Sequence, residues 1–207
     1  MQVVLSEVSP LFGFLNFNLN ILIPPLVIEK GNMPRARRFF QDWNIYHVMI
    51  RCNNRQMLLR KHATKILLLN SFGHFQQRLG FKVYGFVVMD NHAHWLLQVQ
   101  EKIGLSSVMQ KVLLSFGRRY RQTQPYVGHF WQGRYKSVGV VSDKGMLEVL
   151  KYVHENPVKA KVVRRSQEYM YSSAYKYLGI DNEAMRSVIE VTKYGDTSAG
   201  SVELIKL

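Results

Sequence analysis

The sequence predicts an α+β domain: an antiparallel sheet laid out in split β-α-β order, with helices packed on one face. Three observations predict it. First, from residue 44 onward the apolar period switches between strand-like alternation and helical spacing in the order β-α-β-β-α-β, and then a further helix follows. Second, turn and cap residues fall at the switches: Asn53-Asn54, Gly80 and Asp90-Asn91. Third, the 207-residue chain is 47% hydrophobic and 20% charged, which supplies one packed core and excludes global disorder.

The elements follow in order. Asn44–Arg51 alternates Ile45, His47 and Met49 against Tyr46, Val48 and Ile50, the pattern of a buried strand. His62–Leu79 carries Ile66, Leu67, Leu69, Phe72, Phe75 and Leu79 at helical spacing, and Gly80 closes it. Phe81–Met89 is rich in valine and aromatics. Asp90-Asn91 then turns the chain into His92–Val99, so the two runs form a hairpin. Leu105–Gln122 is a second helix, with Leu105, Val108, Met109, Val112 and Phe116 on one face. Ser137–Val141 reads as a short strand. Asp143 reads as the N-cap of a helix ending at about Glu155, just before Asn156-Pro157. This layout serves RNA-recognition modules and unrelated enzymes alike, so it does not give a function.

Charge narrows the partners. The net charge is +14 and the isoelectric point near 10.0, which suits a polyanion, with an anionic membrane surface as the alternative. Residues 1–32 carry −1, residues 180–207 carry −2, and the block 33–179 carries the remaining +17. The apolar stretch 8–28 is broken by Asn16, Asn18, Asn20 and Pro24-Pro25, a poor membrane span, and no basic region precedes it. We therefore expect no membrane role. Residues 1–32 form either a segment docked on the domain or sequence upstream of a start at Met33. Residues 180–207 read as a C-terminal appendage, with a short helical stretch (183–192) and a Gly/Ser/Thr hinge (195–201). The single cysteine, Cys52, excludes an intrachain disulfide and a cysteine-based zinc framework, and fits a cytoplasmic setting.

Two clusters carry chemistry. His92-Ala93-His94 opens a strand, and residues two apart on a strand share a face. Two imidazoles so placed form a platform for a divalent metal, although an H-x-H satisfied by its neighbours has the same spacing. Tyr152 and Asn156 lie four apart on the last helix and share its face. A tyrosine hydroxyl is a poor nucleophile at neutral pH, with a pKa near ~10. A metal that stabilises the developing charge makes its attack on a phosphate feasible. His154 lies two residues from Tyr152 and points elsewhere.

Four runs occur in this order: Tyr46-His47-Val48 with Arg51 and Asn53-Asn54-Arg55; Met89 to Leu97; Phe130-Trp131-Gln132-Gly133-Arg134-Tyr135-Lys136-Ser137; and Tyr152 to Ala160. Together they resemble the HUH single-tyrosine transposase superfamily, closest to the REP-associated tyrosine transposases. The resemblance spans about 33–179, the block that carries the positive charge. It implies a ferredoxin-like catalytic domain that cuts and rejoins single-stranded DNA. His92 and His94 match the metal-binding histidines, Ala93 the hydrophobic position between them, Tyr152 the nucleophile and Asn156 a further metal ligand. The family's Asn-Pro-Val-Arg-Ala stands here as Asn156-Pro157-Val158-Lys159-Ala160, which keeps the charge but loses the planar guanidinium.

The resemblance further implies Mg²⁺ or Mn²⁺ as cofactor and a 5′-phosphotyrosine intermediate. It implies single-stranded DNA bearing hairpins or inverted repeats as partner, and a bacterial, nucleoid-associated location. Relatives act as monomers or homodimers. Arg35, Arg37, Arg38, Arg51, Arg55, Arg118, Arg119, Arg121, Arg134 and Lys136 cluster near the motifs and suit a phosphate-tracking channel, with Trp131 and Tyr135 available to stack unpaired bases. Met33–Arg38 suits a basic arm reading a groove or loop. Two other readings stand beside the nickase and strand-transferase. One is a domesticated hairpin-binding protein that no longer cuts. The other is an RNA-binding split β-α-β module, which requires exposed aromatics on the middle strands.

Overall fold

The structure, a computed structural model, describes residues 44–180 and 182–194. The extension 1–32, the basic arm with Arg35, Arg37 and Arg38, and the 195–201 hinge lie outside the described residues. Four strands, β1 (Ile45–Arg51), β2 (Lys82–Val88), β3 (His92–Gln98) and β4 (Lys136–Gly139), make one sheet in the order β2-β3-β1-β4. Every neighbouring pair is antiparallel. β3 separates β1 from β2, the split arrangement the pattern predicts. The strand ends differ from the expected ones by one or two residues.

Strand alternation divides the sheet into two faces. Tyr46, Val48 and Ile50 join Trp95 and Leu97 in the main core. Two helices, α1 (His62–Leu79) and α2 (Leu105–Thr123), cover that face with Leu68, Leu69 and Phe72 from the first and Leu105, Val108, Met109, Val112 and Phe116 from the second. The opposite face belongs to α3 (Asp143–Lys159). Met146 and Leu150 of α3 pack on Tyr84 and Leu96, and Val153 packs on Val87 and Met89. Helices on one face thus describes α1 and α2, and the tyrosine-bearing α3 lies behind the sheet from them.

Gly85 lies beneath α3. A Cβ there would stand 2.6 Å from Leu150 Cδ1, so any larger residue would require the buried Leu150 side chain to shift. The N-cap is Ser142, one residue earlier than expected, and its Oγ accepts from Gly145 N at 3.1 Å. Asp143 is the first helical residue, where its charge favours the helix dipole, and its carboxylate accepts from the Tyr194 hydroxyl. The expected stop at Glu155 is also displaced: α3 continues through Pro157 to Lys159. Proline removes one N–H, but the buried Pro157 ring sits in the last turn, where little of the ladder remains to be lost. The extension keeps Asn156 helical, one turn beyond Tyr152.

Residues 182–194, read from sequence as part of an appendage, pack onto the domain. Met185, Ile189 and Val191 enter the main core. The Gln76 side chain donates to Glu190 O at 2.8 Å and accepts from Glu190 N at 3.2 Å, in the manner of a backbone partner. A Cβ at Gly73 would lie 2.0 Å from Val188 O, so glycine is what lets the segment lie on α1. Thr192 N then donates to Val83 O at 2.9 Å, on the β2 edge of the sheet.

Candidate active site

The H-x-H pair starts β3 on the face that α3 covers. Its approach is anchored from several sides. Cys52 N donates to Asn91 O at 2.8 Å, and Leu59 N donates to Asp90 O at 2.9 Å. The Asp90 carboxylate pairs with Lys65, whose buried Nζ also donates to Leu59 O at 2.9 Å. The Asn91 amide is oriented by its Nδ2, which donates to Arg55 O at 3.2 Å. Its Oδ1 therefore faces His92 Nδ1, 2.6 Å away. An amide oxygen only accepts, so His92 carries its proton on Nδ1 and keeps a bare lone pair on Nε2.

Burial governs the charge state of these rings. It pushes the His92 imidazole down to about 4, with the Arg51 guanidinium adding to the effect. His47, on β1, is pushed down to about 4 by burial alone. His94 lies well below its ordinary value through burial and then through His47 and His92. All three are neutral at pH 7. The ring centroids of His92 and His94 lie 5.2 Å apart at 89°.

α3 brings its residues to this pair. The Tyr152 ring stands edge-on to His94 at 5.4 Å and to His47 at 5.8 Å. Asn156 Nδ2 donates to Tyr152 O at 2.8 Å, and the Asn156 side chain lies near enough to His92 to oppose part of the lowering that burial imposes on that ring. Among the described residues no group of three or more His, Cys, Asp or Glu side chains is spaced to hold a metal ion. The donor set on offer is two imidazole nitrogens and one amide oxygen. It fits a divalent cation chemically, because the second nitrogen of each imidazole already has a partner.

The other expected site residues are placed as follows. Arg51 pairs in register with His92 and lies on the site face, as does Lys136, the register partner of Met49. Arg55 is exposed in the turn after β1, and Arg134 is exposed in the loop before β4. Arg118, Arg119 and Arg121 are exposed on α2, in the layer behind the sheet. Their helix end nonetheless neighbours the site end of β1, since Phe116 packs on Trp131 and Trp131 bridges Cys52. Trp131 is half-buried, held against the core by Phe116 and Phe130. Tyr135 is 9% exposed with its hydroxyl 3.1 Å from Ser106 Oγ, so it is a core residue and not a base platform. His154 turns away from Tyr152 into the core, where its Nε2 meets Ser173 Oγ at 2.8 Å.

Sequence reasoning assigned no role to His47 or Asn91. Both stand in the quoted runs, and the alternation that puts His47 in phase with Met49 was the available signal for the first. No helix among the described residues is long and apolar enough to cross a membrane.

A family model described as transposase, IS200-like, matches residues 42–156. The chain belongs to the IS200-like transposase family. No curated protein sequence matches it significantly. Among solved structures, the fold of this IS200-like chain is similar to that of a REP-associated tyrosine transposase bound to a REP hairpin, with TM-score 0.62 and 18% identity over 84% of this chain and 100% of the other. A Deinococcus radiodurans protein of provisional transposase assignment aligns at TM-score 0.41 and 18% identity, over 59% of this chain and 97% of the other. The IS200-like match ends at Asn156, so it takes in the H-x-H pair, Tyr152 and the amide one turn beyond.

Proposed function

We propose that the chain is a metal-dependent single-stranded DNA endonuclease and strand-transferase that cuts and rejoins DNA beside hairpins. The observation that carries this reading is the meeting of Tyr152, His94 and His92 on one sheet face, with Asn156 one turn beyond the tyrosine. His92, His94 and Asn156 would hold Mg²⁺ or Mn²⁺. Bound there, the ion supplies Lewis-acid stabilisation of charge on the scissile phosphate. Tyr152 Oη attacks phosphorus in line, the tyrosine–phosphorus bond forms, and the bond to the leaving 3′ oxygen breaks. The hydroxyl proton passes to solvent and the 3′ oxygen leaves as a hydroxyl. The phosphodiester energy is retained in the 5′-phosphotyrosine, so a second 3′-hydroxyl can reverse the step on a new strand.

Arg51 and Lys136 lie on the same sheet face as the pair and would hold the strand across it, with Arg55, Trp131 and Arg134 as further DNA contacts. Arg35, Arg37 and Arg38, outside the described residues, would serve as DNA-binding residues by their charge. The aromatic residues of the two central strands point the other way: Tyr46 is 3% and Trp95 0% exposed, which disfavours the RNA-binding reading. The proposed catalytic block is 33–179, acting as monomer or homodimer in the bacterial cytoplasm.

The test is covalent capture. The chain and its Tyr152→Phe variant are incubated with labelled single-stranded hairpin DNA and Mn²⁺, then separated under denaturing conditions, and the adducted peptide is identified by mass spectrometry. The expected outcome is an adduct at Tyr152 in the wild type and none in the variant, with hairpin binding retained, since phenylalanine keeps the ring and lacks the nucleophile. An adduct on Tyr120, Tyr126 or Tyr171 would remove Tyr152 from its role. A wild type that binds hairpins and cuts none would favour the domesticated, non-cutting reading.

A further inference from the structure

His94 differs from His92 in one respect. Asn91 sets the tautomer of His92, whereas among the described residues no amide or carboxylate is hydrogen-bonded to Nδ1 of His94. Its hydrogen-bonding neighbour among the described residues is His47 Nε2, at 3.0 Å. The two rings are nearly parallel, with centroids 5.2 Å apart and 20° between planes. They are not register partners: His94 lies opposite Met49, and His47 lies opposite Leu96. The contact is a diagonal one on the site face, two residues off register.

We propose that His47 is a positioning residue for the metal centre, accepting the Nδ1–H of His94 and so leaving His94 Nε2 bare for a divalent cation. The argument is a proton count. The 3.0 Å contact between the two ring nitrogens holds a single proton, so one imidazole donates across it and the other accepts. If His47 donated to His94 Nδ1, the His94 proton would sit on Nε2, and that nitrogen could not ligate. If His47 accepts, Nε2 is a lone pair. Only the second arrangement serves a cation, and it requires the His47 proton on Nδ1. Asn91 and His47 thus perform the same task for the two ligands by different chemistry, the outer-shell partnership that orients ligating histidines. The Tyr152 ring, edge-on to both His47 and His94, makes the stack part of the nucleophile's wall as well.

The proposal rests on the metal reading, and the experiment separates the two. Mn²⁺ binding to the metal-free full chain is measured by calorimetry for wild type, His92→Ala, His47→Leu and His47→Gln, with thermal melts of each. We expect His47→Leu to weaken Mn²⁺ binding about 10- to 100-fold. His47→Gln, whose Oε1 accepts, should recover most of the affinity at an unchanged melting temperature. Equal binding by wild type and His47→Leu, with His92→Ala weakened, would overturn the role of His47 alone. Gln no better than Leu would reduce the residue to packing. A wild type that binds no Mn²⁺, or binds as His92→Ala does, would overturn the metal reading and this proposal with it. Should His47→Leu fail to fold, long-range ¹H–¹⁵N correlations of the wild-type imidazoles decide the matter. His94 is assigned by its loss in His94→Gln. His94 protonated on Nδ1 supports the proposal, and His94 protonated on Nε2 refutes it.

Discussion

Lys65 is the buried charge that holds the site's entrance turn. Its side chain is 2% exposed, it donates to Leu59 O, and it pairs with an Asp90 that is 45% exposed. Its Nζ also stands 5.1 Å from the centre of the Tyr171 ring. Lys65→Met keeps the stem and removes the charge. The variant strands the Leu59 carbonyl in a buried setting, while the half-exposed Asp90 carboxylate turns to water. The expected loss is about 1–3 kcal/mol, the scale of one unsatisfied buried polar group, measured by urea unfolding. An unchanged midpoint would mean that desolvation of the lysine cancels everything it gains, as buried pairs sometimes do. At this scale the sequence was partly legible. H-x-H and Tyr152 were visible by type and spacing, whereas Lys65, Asn91 and His47 act through contacts across 25, 36 and 47 residues of chain.

At the scale of elements the decisive contact is α3 on β2. Gly85→Ala forces a methyl onto Leu150 Cδ1, in a core where Leu150 is 3% exposed. Overpacking of this kind costs about 1–3 kcal/mol. Because α3 carries Tyr152, we expect adduct formation to fall further than hairpin affinity, read from single-turnover rates against equilibrium binding on the same DNA. A proportional loss of both would mean that the helix moves as a block with its DNA surface. The second element is α2, whose apolar face lies in the core while Arg118, Arg119 and Arg121 face solvent. Replacing all three by alanine should weaken single-strand binding and lower the log–log salt slope by about 0.7 per lost phosphate contact. An unchanged slope would assign them to a surface the DNA does not reach.

For the whole molecule, neutral buried histidines set the acid limit of stability. Burial pushes His47, His92 and His154 down to about 4, and His94 is lowered as well. An unfolded chain takes up those protons near pH ~6.5, so between there and about 4 it binds more protons than the folded one, and stability rises with pH across that window. Stability from these groups is complete above about 6.5 and lost as pH falls toward 4. We expect the melting temperature to drop across this interval. His154→Gln, which can still bond Ser173 Oγ, should flatten part of the fall. The part due to His154 is on the order of 1–3 kcal/mol. A melting temperature flat from pH 7 to 4 would contradict the buried neutral assignment.

The order of elements, the hairpin turn before the histidines and the spacing of Tyr152 and Asn156 were determined by the sequence alone, because period, turn chemistry and helical pitch are local properties. Three matters were decided by tertiary structure. The helix runs through Pro157, because the missing N–H falls in a last turn whose buried ring contributes packing instead. Residues 182–194 belong to the domain, because sparse apolar side chains at Met185, Ile189 and Val191 find a core only once Gly73 and Gln76 stand beside them. Tyr152 meets His94 because Met146, Leu150 and Val153 pack α3 against the face that α1 and α2 leave to it. Each depends on atoms far apart in the chain, which no local period records.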